Sequence, residues 1–121
     1  MKELSFIKGN KKEGTSLDHV EVDVVKGLKA IEQLKVDLLQ AQCLFQRGTF
    51  SGSESEMLQG LADLVGISYL LIKRLGYDFA RLDRLLLQRL EIWKNNDMVD
   101  FETQWGDLSL LLSYLAPEDQ T

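Results

Sequence analysis

The sequence predicts an all-α fold, a four-helix antiparallel bundle. Apolar residues recur at helical spacing in four separate stretches, glycine-rich or capping residues separate those stretches, and no alternating strand pattern competes with them. Short connections favour antiparallel neighbours. At 121 residues the chain is the size of one domain, with residues 1–15 read as a flexible lead-in, 16–116 as the helical domain and 117–121 as an acidic tail.

The lead-in combines Gly9, Asn10 and Gly14 with Lys8, Lys11 and Lys12, and few apolar positions beyond Leu4, Phe6 and Ile7. Thr15 or Ser16 is placed to cap the first helix, which runs to about Gln46 on the stripe Val24, Leu28, Ile31, Leu34, Leu38 and Phe45. Arg47 to Gly52 reads as a turn. Ser53 and Glu56 read as a capping box for a second helix, which Gly76 ends after Lys73 and Arg74. Between Met57 and Leu75 that helix is apolar on nearly every face, which marks it as the centre of the fold and gives it two partners. Its sixteen-residue run between Glu56 and Lys73, interrupted by Gln59, Gly60 and Asp63, falls short of a bilayer span. Asp78 caps a third helix through about Trp93, on Phe79, Leu82, Leu86, Leu90 and Trp93. Asn95-Asn96-Asp97 breaks it, and Phe101, Trp105, Leu108, Leu112 and Leu115 mark a fourth, ended by Pro117.

Composition narrows the function. A net charge of −5 disfavours a nucleic-acid polymer as partner. No secretory signal is read at the N-terminus, so a cytoplasmic location is expected. The single cysteine, Cys43, sits among Leu39, Ala41 and Leu44 and reads as an apolar filler. One cysteine and one histidine, His19, do not make a zinc site or a nucleophilic triad. Oxygen chemistry remains, because Mg²⁺ takes carboxylates and water.

Asp63 carries most of that reading. A carboxylate on an apolar helix needs a donor, a cation or a water-filled pocket. It either holds metal or pairs with Lys35, Arg74 or a tyrosine to fix helix register. Glu32 and Asp37 are five apart on the first helix and cannot point together, while Glu56 and Asp63 share a face with Gly60 between them. Tyr69, Tyr77, Trp93, Trp105 and Tyr114 at helical spacing read as core or interface before base-stacking groups.

The stretches GLKAIEQLKVDLLQAQ, LADLVGISYLLIKRLGYDFARLDRLLLQRLE and WGDLSLLLSYL resemble the short MazG-like family over roughly residues 24–115. The resemblance implies an all-α nucleoside triphosphate pyrophosphohydrolase fold, an oligomer, for which a homodimer is expected, and Mg²⁺ dependence. Catalytic relatives carry E-x-x-E on one helix and E-x-x-D on the next. Here Asp63 matches the last acid, Gly60 stands where the third is expected, and the first pair falls on Glu32 with Lys35 or on Gln33 with Val36. At most two ligands remain, Asp63 and Glu32, with Arg74, Arg89 and Lys94 as candidates to meet phosphate charge. The expectation is therefore a degenerate relative acting as a dimeric binding module. The alternative is a Mg²⁺-dependent pyrophosphohydrolase releasing pyrophosphate from canonical or modified nucleoside triphosphates.

Overall fold

The computed structural model describes residues 16–116, with side chains from Val20 onward. Among the described residues all regular structure is helical, in five α-helices and one π-helical turn. The chain divides between Gly76 and Tyr77 into two compact units.

The first unit is an antiparallel helical hairpin. Helix α1 spans Ser16–Ser51 and α2 spans Glu54–Arg74. Five of the six residues expected as a turn after Gln46, Arg47 to Ser51, are in fact the end of α1. The Thr49 hydroxyl donates to the Gln46 carbonyl at 2.8 Å and the Ser51 hydroxyl to that of Arg47 at 3.0 Å, so the polar side chains bond back along the helix instead of breaking it. Only Gly52, at φ 75°, and Ser53 reverse the chain. Ser53 caps α2 as expected, its hydroxyl accepting from the Glu56 N–H at 3.3 Å. The reciprocal half of the capping box is absent: the Ser53 N–H donates to the Gly48 carbonyl at 2.9 Å, and the Glu56 carboxylate takes the Arg47 Nε at 3.2 Å. Gly76, at φ 100°, ends the helix in the left-handed conformation its position predicts.

What brings α1 and α2 together is the absence of two side chains. A Cβ at Gly60 would lie 2.7 Å from the Phe45 backbone nitrogen and 2.9 Å from the Ala41 carbonyl. One at Gly48 would lie 2.6 Å from the Met57 nitrogen. Both glycines and Ala41 are buried. This pairing fixes the register, Ala41 and Phe45 against Gly60 and Gly48 against Met57, so the first few turns of α1 have no α2 residue opposite.

The second unit contains α3 (Phe79–Ile92), a π-helical turn (Trp93–Asp97), α4 (Val99–Trp105) and α5 (Asp107–Leu115). Asp78 caps α3, its carboxylate accepting from the Arg81 N–H at 2.9 Å. Asn95-Asn96-Asp97 widens the helix rather than stopping it: the Met98 N–H reaches the Trp93 carbonyl at 2.6 Å, the i→i−5 bond of a π turn. The fourth predicted helix is two helices, broken at Gly106, φ 70°. Leu90 of α3 and Leu108 of α5 are the large side chains buried where α3 meets α5.

Helix α2, at 21 residues and with a mean hydropathy of 1.2 over its most apolar window, is long and apolar enough to cross a membrane by composition. The sixteen-residue count behind the sequence argument undercounts it, because the helix takes in Glu54 to Glu56 and Lys73 and Arg74 as well. The residues that fit poorly against lipid are Asp63 and the polar groups beside it, described next.

Candidate functional site

The residues closest to α1 on α2 are those that share a face with Gly60. At about 100° per residue, Asp63 lies some 60° to one side of it, with Gln59. On α1, Asp37 and Gln40 lie to the same side of Ala41, so the hairpin gathers polar groups along one of its two faces. A cavity of about 640 Å³ opens there, lined by Asp37, Gln40 and Arg47 from α1 and by Gln59 and Asp63 from α2, over Leu44 and Ile67.

Asp63 is half-buried, and among the described residues it makes no ion pair. The expected register pair with Lys35 is not formed, because Lys35 reaches Glu32 at 3.1 Å. Of the three settings that suit such a carboxylate, the structure supplies an open cavity. Asp37 accepts from the Gln33 amide at 2.9 Å, one turn back on the same helix. Arg47, at the turn end of the cavity, is held by Glu56 at 3.2 Å. Cys43 also lines this cavity and is exposed, not the buried filler that its neighbours suggest. Two residues beyond Ala41, it is rotated about 200° from the face that meets α2.

Glu32 does not join Asp63. Five residues before Asp37, it is rotated about 140° away. It lines a second cavity of about 850 Å³ with Lys26, Lys29 and Gln33 of α1 and Leu70, Lys73 and Arg74 of α2. Of the three candidate phosphate-binding cations, Arg74 lies there. The other two belong to the second unit: the Arg89 guanidinium packs 5.6 Å from the centre of the Trp93 ring, and Lys94 stands on the π turn. The sequence reading missed Asp37 as a site residue, although it weighed it. The available signal was its spacing from Ala41, one turn on, since a small residue at helical spacing marks where the second helix approaches.

Of the five aromatic candidates Tyr69 lies on α2, and the other four belong to the second unit. Arg81 packs 5.2 Å from the centre of the Tyr77 ring, Phe101 and Trp105 meet edge to face at 4.9 Å, and Tyr114 is exposed.

The donor set at the first cavity fits one kind of metal. Among the described residues no three His, Cys, Asp or Glu side chains converge as a ligand group. Mg²⁺, however, keeps several waters and is commonly held by one or two carboxylates together with the phosphates of a ligand. Asp37 and Asp63 suit that role, and a cation there would neutralise phosphate oxygens.

Away from the first cavity the two helices carry exposed apolar side chains at different levels, Val20 and Val24 on the first turns of α1 beyond the end of α2, and Leu61 and Val65 on α2 beside the glycine contact. Val20 and Val24 of α1 are 56% and 54% exposed, and Leu61 and Val65 of α2 are 44% and 59% exposed. Neighbouring apolar groups at that exposure, as on α2, are the usual mark of a contact surface.

Comparison with known proteins adds a family. Neither the curated proteins nor the solved structures yield a match. The family model described as the MazG-like family matches residues 24–108, which take in the hairpin from Val24, both of its aspartates, and the second unit as far as Leu108. The chain belongs to the MazG-like family.

Proposed function

We propose that this protein is a cytoplasmic, dimeric nucleotide-binding module related to the nucleoside triphosphate pyrophosphohydrolases, with hydrolysis weak or lost. The observation that carries this reading is Gly60. The position where catalytic relatives place a third carboxylate faces the α1 backbone at 2.7 Å from where a Cβ would stand. A glutamate there is sterically incompatible with this hairpin, so the site is reduced by its packing as well as by substitution. Asp37 and Gln40 supply the other pair at the E-x-x-E spacing, opposite Gly60 and Asp63, and leave two carboxylates where four are expected. Two acids support a cation held largely by a nucleotide's own phosphates. They provide little further charge to activate a water.

The dimer is supported by the exposed apolar groups of α2. Two copies packing at Leu61 and Val65 of α2 would bury both residues of each copy and bring two hairpins into a four-helix arrangement. It differs from the four-helix bundle expected within one chain, since each copy would contribute only α1 and α2. Light scattering is expected to give twice the chain mass; a monomer at all concentrations removes this part of the reading.

The nucleotide part is tested by thermal stability. A non-hydrolysable nucleoside triphosphate analogue with Mg²⁺ is expected to raise the melting temperature, since ligands that bind only the native state stabilise it. Neither component alone does so, and Asp37→Asn and Asp63→Asn each abolish the shift. No shift with any nucleotide sinks the proposal. The alternative, a working pyrophosphohydrolase, is favoured by the convergence of both aspartates and Arg47 on one cavity. The two readings part on pyrophosphate release from a panel of canonical and modified nucleotides. Release well above that of Asp63→Ala establishes the enzyme, and release equal to it leaves the binding module.

A further inference from the structure

The second cavity of the hairpin is not used by the reading above. It has an apolar lining that includes Leu34 of α1 and Leu70 of α2, and four cations line it as well: Lys26 and Lys29 from α1, Lys73 and Arg74 from α2. Its only acid is Glu32, which Lys35 neutralises at 3.1 Å. In a chain of net charge −5 this is a strong local reversal of sign. Lysine and arginine lay their carbon stems along apolar surface and keep the charged head at the water boundary. Both helices therefore present the same layout, carbon at the lining and positive charge around it.

We propose that this cavity binds a small amphiphilic anion, a short apolar body carrying one phosphate or carboxylate. The volume of about 850 Å³ lies in the range of small-molecule sites, which are lined mostly by apolar groups with a few charged ones that set orientation. An inorganic anion would leave the leucines in contact with water and gain only screened surface attraction. An apolar molecule without charge would cover the cations and strip part of their hydration at a cost. A ligand with both parts removes apolar surface from water and gives Arg74 a planar, two-pronged match to phosphate or carboxylate oxygens. The proposal does not depend on the nucleotide reading, since Asp37 and Asp63 take no part in this lining.

Calorimetric titration of the full chain with hexyl phosphate tests it, beside inorganic phosphate, hexyltrimethylammonium, and phosphatidylcholine vesicles containing phosphatidic acid. Hexyl phosphate is expected to bind saturably and at least about tenfold more tightly than inorganic phosphate or the ammonium compound, a difference calorimetry resolves. Lys29→Glu and Arg74→Glu each weaken it by about tenfold or more, because each turns an attraction into a repulsion. Arg84→Glu, on α3, leaves it unchanged while altering net charge equally. Both cavity residues are exposed, so circular dichroism of the variants should match the parent. Equal affinity for inorganic phosphate, equal affinity for the ammonium compound, no saturable binding, or indifference to both cavity substitutions overturns the proposal. Binding to the vesicles alone overturns it too, in favour of a membrane surface.

Discussion

The two units of this protein are held together in different ways. In the hairpin the helices approach backbone to backbone at Gly48 and Gly60, and the buried side chain there is as small as alanine. In the second unit the buried groups are leucines, Leu90 at 1% and Leu108 at 5% exposure, and the helices are short and interrupted. Close backbone approach needs almost no large side chain at the contact. It therefore leaves the larger and charged groups of α1 and α2 for the outward-facing surfaces. The second unit buries Leu90 and Leu108 and bridges its break at Gly106 with the Glu102 side chain. The polar groups of the hairpin that line its first cavity therefore depend on glycine for their spacing.

The sharpest way to break that contrast is Gly60→Glu. Each added side-chain atom would have to displace α1 backbone, and the expected loss is on the order of 4 kcal/mol, at the upper end for single substitutions. Hydrogen exchange should show it as lost protection in α1 and α2, with α3 keeping its own. The same substitution nominally restores the missing acid, so a folded variant with enhanced Mg²⁺ binding would contradict the packing argument. Gly66→Ala is the internal control. Nothing lies within 4 Å of a Cβ at that position, and a helical glycine replaced by alanine in open space should stabilise by about 0.5–1 kcal/mol.

The matching change in the second unit is Leu90→Ala. Removing a fully buried leucine leaves a cavity as well as lost transfer energy, about 3 kcal/mol. Protection should fall in α3 and α5 while α1 and α2 hold. Equal loss in all helices would mean that the two units unfold as one, and the comparison would dissolve.

Much of this organisation is legible in the sequence, and the parts that are not have identifiable causes. Helical class, the Ser53 and Asp78 caps and the Gly76 stop depend on local chemistry, which the chain displays directly. The extra turn of α1 is hidden because Gly48, Thr49 and Ser51 carry turn residues for other reasons: close approach at the first, and bonds back to Gln46 and Arg47 at the other two. The split at Gly106 is hidden because Phe101, Trp105 and Leu108 keep a helical period across it. For the site, Asp63 is visible as a charge in an apolar run. Asp37 is obscured because helical spacing within α1 shows which residues share a face but not which face meets α2. That choice is made by Ala41 and Gly60, a long-range contact between two small residues.

The smallest predicted effect concerns the caps of the second unit. Glu102, on α4, reaches past the Gly106 break to the start of α5. Its carboxylate accepts from the backbone N–H groups of Leu108 at 3.0 Å and Ser109 at 3.1 Å, and from the Ser109 hydroxyl. The Ser109 hydroxyl is the main cause that holds its pKa below the ordinary glutamate value. The two N–H groups and Lys94 act in the same direction, and partial desolvation opposes them. A lowered folded-state pKa means the unfolded chain binds the proton more readily, so stability rises with pH through this group. Its contribution is complete above the unfolded glutamate pKa of about 4.3 and disappears as pH falls through the lower folded value. Amide protection in α5 should therefore weaken on acidification below about pH 4.3 in the parent. In Glu102→Gln, which keeps an acceptor but has no proton to gain there, the dependence should flatten. An unchanged pH slope in that variant would mean that the connection across Gly106 is maintained by the burial of Leu108, with the carboxylate incidental.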